Sequence, residues 1–271
     1  MSTHPQIAFL GGGNMASAIL AGLRQAEFPG RNLHVGEPNT DQRTALQSKF
    51  GLQGHAQNRD AVTGADLVVV AVKPNLVPIV LADVAEHLPP TAVVLSIAAG
   101  MDLDTMADAL NGPQPIIRAM PNTPALVGEG VTVLCPNDHV TDAQLTQAKT
   151  VLESVGQVAV VKQESLIDGV TALSGSGPAY VFLMAEALSD GGVSCGLPRD
   201  LADQLAVQTL LGSATLLRES GEHPGVLKNR VTSPGGTTIA GMGVLERHGV
   251  RGALIDAVQA AWSRSKELSG K

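Results

Sequence analysis

A run of six apolar residues, LVVVAV at positions 67–72, restricts the fold of this chain more than any other feature. A strand with one face in water alternates apolar and polar residues, whereas a strand covered on both faces is apolar throughout. Similar short segments alternate with amphipathic helical stretches up to about residue 160, which is typical of a doubly wound α/β domain. The predicted strands are Gln6–Leu10, Asn32–Glu37, Asp66–Val72, Ala92–Ile97, Pro115–Met120, Val131–Cys135 and Gln157–Val161. The predicted helices between them are Met15–Ala26, Asp41–Phe50, Leu76–His87, Leu103–Leu110 and Asp142–Val155.

The pattern changes after Lys162, where we predict no further strand. Apolar residues cover most of the circumference of the predicted helix 198–219, and such a helix is buried on several sides. A region of only about 110 residues is small for burying such a helix on several sides, which indicates that part of the helix is buried against a second subunit. We therefore predict an α/β domain over residues 1–162 and an all-helical domain over residues 163–271. The helical stretches in the second domain are 164–172, 178–195, 198–219, 238–248 and 250–268.

Composition excludes several classes of function. With 18 Lys and Arg against 25 Asp and Glu, the net charge is −7, so we expect no nucleic-acid partner. No apolar run approaches the length of a membrane helix, and the N-terminal segment lacks the pattern of a signal peptide, so we expect a cytoplasmic protein without a membrane partner. Two cysteines and seven scattered histidines predict neither a disulfide framework nor a metal site.

A glycine-rich turn follows the first predicted strand and opens the first helix. Gly11, Gly13 and Ala16 have the G-x-G-x-x-A spacing, in which the first glycine permits the tight turn and the second lets a pyrophosphate approach the backbone. The small third residue lets the helix pack closely on the strand. Free N–H groups at the start of the helix then face the phosphates. The turn predicts a dinucleotide site.

Glu37 ends the second predicted strand, 21 residues after Ala16. An acidic residue there accepts hydrogen bonds from the adenosine ribose and repels a 2′-phosphate, which favours NADH. Asn39 and Arg43 follow in the same loop. Arg43 could pair with a 2′-phosphate, or it could be a solvated residue in the first turn of the next helix. The residues therefore leave the choice between NADPH and NADH open.

Two more predicted strands end in small or polar residues. AVKP at 71–74 and SIAAG at 96–100 lie where ligands bind in open α/β sheets, beyond the carboxyl ends of the strands. Lys73 is the positively charged residue at these strand ends. It is either a contact for the ligand or a surface lysine at the end of its strand.

Seven segments in the same order make this chain resemble the pyrroline-5-carboxylate reductase family from residue 6 to about 268. SGSGPAY and SPGGTT are far more specific than the glycine-rich turn. The segments are GGGNMA (11–16), AVKP (71–74), SIAAG (96–100), RAMPNTPALV (118–127), TALSGSGPAYVF (171–182), GEHPGVLK (221–228) and VTSPGGTTI (231–239).

The resemblance implies reduction of L-Δ1-pyrroline-5-carboxylate to L-proline with NADPH or NADH, the last step of proline biosynthesis. It also implies a Rossmann-like domain, a helical domain that interlocks two subunits, and an active site shared between the subunits of a homodimer. Five such dimers commonly form a ring in this family. The cofactor contacts that the resemblance implies are Gly11, Gly12, Gly13, Asn14, Met15, Ala16, Glu37, Asn39, Arg43, Asn58, Ala71, Val72, Lys73, Pro74, Ala98, Ala99 and Gly100.

The same resemblance assigns the substrate to the Ser233–Thr238 loop, with Thr238 where a hydroxyl meets the substrate nitrogen. The residue chemistry suits this assignment, because Gly235 and Gly236 expose consecutive N–H groups that can hold a carboxylate, and Thr237 adds a hydroxyl. Ser176 in SGSGPAY is expected to line the pocket, or else to serve tight packing. This chain departs from the family at two positions. Many NADPH-preferring members have a small hydroxyl residue where this chain has Glu37. Some members have an acidic residue at the position of Gly221, whereas here the acidic residue is the next one, Glu222, so the resemblance assigns a substrate role to neither.

Two other functions compete with this one. The β-hydroxyacid dehydrogenases share the glycine-rich turn and a helical second domain, but they use a lysine on the first long helix of that domain, and residues 163–227 contain none. A non-catalytic NAD(P)-binding protein is the other alternative, against which the SPGGTT loop argues.

Overall fold

The computed structural model describes residues 4–269, which form two compact units. The first unit runs to Gly175 and takes in the chain again from Ala261, and the second comprises Ser176–Ala260. We predicted a domain boundary after residue 162 because the alternation of strands and helices ends there, and that boundary stays a prediction. In the structure, the helix that follows it packs on the sheet, where Ile167 joins a cluster with Val133 and Cys135.

An eight-stranded sheet forms the centre of the first unit, in the order β3-β2-β1-β4-β5-β6-β7-β8. Neighbouring strands are parallel except β6 and β7, which are antiparallel with Ala119 opposite Leu134. The strand order reverses between β1 and β4, which is where ligands bind in doubly wound sheets. The strands are β1 (Ile7–Leu10), β2 (Leu33–Gly36), β3 (Gln53–His55), β4 (Leu67–Val70), β5 (Val93–Ser96), β6 (Ile116–Met120), β7 (Gly130–Pro136) and β8 (Gly156–Val160).

Helices cover both faces of the sheet, and strand β4 shows why its sequence is apolar throughout. Leu67 and Val69 belong to the core cluster formed with α1 and α6, whereas Val68 and Val70 belong to the cluster formed with α4 and α5. All four side chains are fully buried. The first-unit helices are α1 (Asn14–Gln25), α2 (Thr40–Phe50), α3 (Asn58–Val62), α4 (Val77–Val84), α5 (Leu103–Leu110), α6 (Asp142–Glu153) and α7 (Leu166–Val170), and a π-helical segment, Thr171–Gly175, follows α7.

The second unit is helical and buries little of its own apolar surface. Helices α10, α11 and α12 contain no buried residue in the described chain, and α9 contains only Ala202 and Ala206. Phe182 and Leu211 are 67% and 57% exposed. The helices are α8 (Gly177–Ser194), α9 (Arg199–Ser220), α10 (Pro224–Arg230), α11 (Thr237–Arg247) and α12 (Val250–Leu268), whose last part belongs to the first unit.

The predicted fold class is confirmed: a Rossmann-like α/β unit is followed by a helical one. All seven predicted strands are present, each shifted by a few residues at most. The prediction missed strand β3, helix α3 and helix α10. Within residues 4–269, no helix combines the length and apolarity that crossing a membrane takes.

Candidate active site

The glycine-rich turn lies where the carboxyl ends of three strands meet. Gly11 has a φ of +92° and donates its N–H to the carbonyl oxygen of Gly36 at 2.9 Å. A Cβ on Gly11 would lie 2.9 Å from Val72 Cγ1 and 3.0 Å from the carbonyl oxygen of Ala71. Both the positive φ and the contact with the end of β4 therefore require glycine. The turn follows β1 at the strand-order reversal, which is where ligands bind in doubly wound sheets.

Helix α1 begins directly after this turn with an open N-terminus. Gly13 is the N-cap, and among the described residues no side chain caps the first turn. A Cβ on Gly13 would meet nothing closer than the Ala71 carbonyl oxygen at 4.0 Å, so the space above it is open. Asn14 is exposed, Met15 is half-buried, and Ala16 is fully buried against the sheet. Exposed N–H groups over an open surface fit a pyrophosphate.

The loop after β2 is held by Glu37 and Arg43. Glu37 is only 8% exposed, and its Oε2 and Oε1 accept the N–H groups of Gly12 at 3.2 Å and Asn39 at 3.0 Å. Arg43 is half-buried and donates to the carbonyl oxygens of Glu37 at 2.6 Å and Pro38 at 3.3 Å. The Arg43 guanidinium therefore braces the backbone of the loop.

Asn58 and two further strand ends complete this edge of the sheet. Asn58 Oδ1 lies against Gly36, at the end of β2. Ala71 donates its N–H to Leu10 at 2.9 Å, and Ile97 donates to Val70 at 3.1 Å, so the ends of β1, β4 and β5 are adjacent. Ala98 is buried, whereas the remaining predicted contacts here are half-buried or exposed: Val72, Lys73, Pro74, Ala99 and Gly100.

The predicted substrate residues belong to the second unit. Ser233 and Gly236 close a turn through the hydrogen bond from Gly236 N–H to the Ser233 carbonyl oxygen at 3.1 Å. Gly236 is then the N-cap of α11, and among the described residues no side chain caps this helix start. Gly235 and Thr237 are exposed, and Thr238 is half-buried. The turn thus presents N–H groups and hydroxyls beside a helix N-terminus.

Ser176 occupies the N-cap position of α8, immediately after the π-helical segment. Thr171 and Ser174 in that segment donate their hydroxyls to the carbonyl oxygens four residues earlier, at 2.9 Å each. A Cβ on Gly175 would lie only 2.6 Å from Met120 Cε. The π-helical segment Thr171–Gly175 therefore contacts the end of β6 through Gly175. Single-turn π segments of this kind often mark functional sites.

Two features near this edge escaped the sequence analysis. Arg118 is 3% exposed and forms an ion pair with Glu164 at 2.7 Å, and the same Glu164 oxygen accepts the Leu103 N–H at 2.9 Å. Burial, reinforced by the Glu164 charge and opposed by Arg118, raises the pKa of the Cys135 thiol, which therefore stays protonated.

The second feature is Gln42, whose Nε2 donates to the Gly12 carbonyl oxygen at 2.8 Å.

Comparisons with known proteins agree along the whole chain. The family model described as pyrroline-5-carboxylate reductase dimerisation matches residues 164–268, and the model described as NADP oxidoreductase, coenzyme F420-dependent, matches residues 6–100. A curated pyrroline-5-carboxylate reductase from Synechocystis sp. is 47% identical over 98% of this chain and 99% of its own length.

Solved structures give the same result. A pyrroline-5-carboxylate reductase from Coxiella burnetii is 38% identical with a TM-score of 0.95, covering 98% of this chain and 99% of the other. A Plasmodium falciparum pyrroline carboxylate reductase with NADP bound is 32% identical with a TM-score of 0.87, covering 98% of each chain.

Proposed function

The chain belongs to the pyrroline-5-carboxylate reductase family, and we propose that its glycine-rich turn and its Ser233–Thr238 loop form the coenzyme and substrate sites of that reaction. It is an NAD(P)H-dependent oxidoreductase that reduces L-Δ1-pyrroline-5-carboxylate to L-proline, the last step of proline biosynthesis. Identity of 47% over 98% of the chain is the observation that carries this assignment. This level of identity through both units favours the reductase over a β-hydroxyacid dehydrogenase, and measured turnover distinguishes it from a non-catalytic binding protein.

The proposed coenzyme site is the carboxyl edge of the sheet. The N–H groups at the start of α1 face the pyrophosphate, while Glu37 and Asn39, in the loop that Arg43 braces, lie beside the adenosine ribose. The uncapped helix start and the open space above Gly13 support this placement. The other proposed contacts are Gly11, Gly12, Asn14, Met15, Ala16, Asn58, Ala71, Val72, Lys73, Pro74, Ala98, Ala99 and Gly100.

The proposed substrate site holds a cyclic imine with a carboxylate. The N–H of Gly235 and the uncapped N–H groups in the first turn of α11 hold the carboxylate, and the Ser233 and Thr237 hydroxyls add donors. The N–H of Gly236, which the sequence predicted as a second donor, already binds the Ser233 carbonyl oxygen, so Gly236 contributes by shaping the turn beside the carboxylate. Thr238 offers its hydroxyl to the ring nitrogen, and Ser176 lines the pocket.

The reduced nicotinamide, when bound, supplies the hydride for the imine carbon. A protonated imine is already electrophilic at that carbon, so the chain's own residues act mainly by orienting the ring rather than by strong acid catalysis. On this proposal Thr238 fixes the nitrogen, and the Ser233–Thr238 loop fixes the carboxylate, which is on the saturated ring carbon bonded to that nitrogen and not on the imine carbon. With both groups anchored, only one face of the imine is turned toward the hydride donor.

The chain forms a homo-oligomer, since its helical region matches a dimerisation model and leaves large apolar side chains exposed. We propose a homodimer in which each active site combines the α/β unit of one subunit with the helical unit of the other, and a ring of five such dimers. We also propose that the protein acts in the cytoplasm, where reduced thiols such as the exposed Cys195 persist.

Oxidation of NADH or NADPH that depends on pyrroline-5-carboxylate, with proline identified as the product, is the test of the reaction. The control reaction omits the imine, and a parallel reaction offers a β-hydroxyacid with oxidised coenzyme. Absence of imine-dependent turnover with either coenzyme would contradict the assignment. Light scattering distinguishes two subunits from ten.

A further inference from the structure

The backbone of Gly12, in the middle of the glycine-rich turn, is held by side chains from beyond strand β2 in both of its peptide units, the one shared with Gly11 and the one shared with Gly13. Its N–H donates to Glu37 Oε2 at 3.2 Å, and its carbonyl oxygen accepts from Gln42 Nε2 at 2.8 Å. Gly12 is buried, and a Cβ on it would overlap Leu46 Cδ1. The turn is thus fastened to the start of α2.

Both holding residues are themselves fixed. The second carboxylate oxygen of Glu37 accepts the Asn39 N–H at 3.0 Å, and the Asn39 side chain accepts the Gln42 N–H at 3.0 Å as the cap of α2. Arg43 ties the same loop through the Glu37 carbonyl oxygen. The hydrogen bonds therefore form a closed circuit from the turn to the loop, to the helix start and back to the turn.

We propose that Gln42 is a positioning residue for the coenzyme, which together with Glu37 clamps the two peptide units that flank the Gly12 Cα and holds the glycine-rich turn in the form that receives the pyrophosphate. This inference rests on the proposed coenzyme site at that turn. Gln42 lies on the exposed side of α2, and a long polar side chain there is ordinarily free to extend into water. Its amide instead donates to the Gly12 carbonyl oxygen, in the peptide unit that Glu37 does not contact. Ser17 Oγ also donates to this oxygen, at the longer distance of 3.4 Å.

The clamp acts on affinity rather than on the chemical step. Without Gln42 the carbonyl of the Gly12–Gly13 peptide unit keeps only the longer contact with Ser17 Oγ, so this unit can rotate and a smaller fraction of the free protein presents the turn in the binding-competent form. The apparent dissociation constant rises in inverse proportion to that fraction. Both NADH and NADPH carry the pyrophosphate, so both are affected, and turnover at saturating coenzyme is not.

The variant Gln42→Met keeps the length of the side chain and removes its donor. We expect the dissociation constants of NADH and NADPH, measured by fluorescence titration of the full-length protein without imine, to rise about three- to tenfold. The value of kcat at saturating coenzyme and the KM for pyrroline-5-carboxylate should change by less than about twofold, because the substitution weakens the binding of the coenzyme and leaves the chemical step unaltered. Gln47→Met is the matched control, being the same substitution at another exposed position of α2.

A double-mutant cycle tests whether Gln42 and Glu37 act together on the backbone of Gly12. Glu37→Gln can offer its oxygen to only one of the two N–H groups, so half of its contacts are lost. In that background Gln42→Met should weaken NADH binding less than it does in the wild type, since residues in one network are not additive.

Three results would overturn the proposal: unchanged dissociation constants in Gln42→Met, an equal loss in Gln47→Met, or strict additivity in the cycle. Failure of the proposed reaction is separate from these, because it shows as absent imine-dependent turnover in the wild-type protein while the coenzyme titrations remain measurable.

Discussion

Thr238 is the single side chain whose substitution tests the proposed substrate site most directly. Its hydroxyl is expected to meet the ring nitrogen, and its backbone belongs to the first turn of α11. Thr238→Ala keeps the helix and removes the hydroxyl, so we expect normal folding. The loss of one good polar contact is about 1–3 kcal/mol, which lowers kcat/KM by about 10- to 100-fold.

Thr238→Ser is the control for this experiment, because it retains the hydroxyl and removes only the methyl group. Steady-state kinetics with varied pyrroline-5-carboxylate should place Ser near the wild type and Ala far below it. Full activity in the Ala variant would mean that this hydroxyl plays no part in the reaction.

Glu37 carries a second prediction at this scale, concerning the choice of coenzyme. A 2′-phosphate beside this carboxylate experiences repulsion of about 1 kcal/mol at a wet site. Glu37→Ser removes that charge, so the ratio of kcat/KM for NADPH to that for NADH should rise about fivefold. The absolute value for NADH should fall, because serine is too short to accept both N–H groups that Glu37 holds.

Asp41→Ser is the matched control, because it removes one negative charge from an exposed position in the first turn of α2. The ratio of kcat/KM for NADPH to that for NADH should not change in this variant. An unchanged ratio in Glu37→Ser would show that this carboxylate points away from the ribose. Because of the same repulsion, we expect the wild type to use NADH at least comparably to NADPH, and these assays measure that ratio directly.

Sequence reasoning found the residues of the turn and Glu37 because each belongs to a spacing with a known physical purpose. It could not find Gln42, since a glutamine on a polar helix has no pattern that distinguishes a solvated side chain from one that reaches back to a turn. For Arg43 it offered two readings, a phosphate ligand or a solvated residue. The structure adds a third, in which the guanidinium holds the loop backbone.

At the scale of elements, helices α7 and α12 are joined by one buried hydrogen bond. Asp168 is 3% exposed, and its Oδ1 accepts from Ser265 Oγ at 2.8 Å. Ser265→Ala leaves a buried carboxylate without this donor, so the free energy of unfolding should fall by about 1–3 kcal/mol. Thermal unfolding at a fixed protein concentration should show Tm lowered by several degrees, at about 2–4 °C per kcal/mol.

Ser263→Ala serves as the control, because Ser263 is an exposed residue of the same helix. Asp168→Asn keeps the acceptor oxygen without the charge, and it should destabilise less than Ser265→Ala does. Equal Tm values for the two serine variants would show that the Asp168 contact contributes nothing to stability.

The elements that the sequence predicted well are those with long or uniform apolar patterns, such as β4, α1 and α9. Strand β3 was missed because its three residues, QGH, contain no apolar side chain and it lies at the sheet edge. Helix α10 was missed because it begins Pro-Gly and spans only seven residues. The antiparallel pairing of β6 with β7 depends on tertiary contacts, which no local pattern specifies.

At the scale of the whole molecule, the second unit cannot account for its own stability. Helix α9 has 22 residues, of which the structure buries Ala202 and Ala206. Its leucines remain largely exposed, among them Leu205 at 47% and Leu211 at 57%. Burying a leucine that is otherwise exposed contributes about 1.5–3 kcal/mol, so the association of two such faces supplies stability that a single copy lacks.

We therefore expect that the chain has no stable folded monomer. Because obligate dimers link folding to protein concentration, dilution should reduce activity and helix content together. Circular dichroism and imine-dependent turnover, measured over the same dilution series, should show coincident midpoints. A tenfold increase in protein concentration should raise Tm, whereas the Tm of a monomer would not move. A monodisperse, active monomer in light scattering would contradict this prediction, as would helix content that persists at dilutions where activity has disappeared.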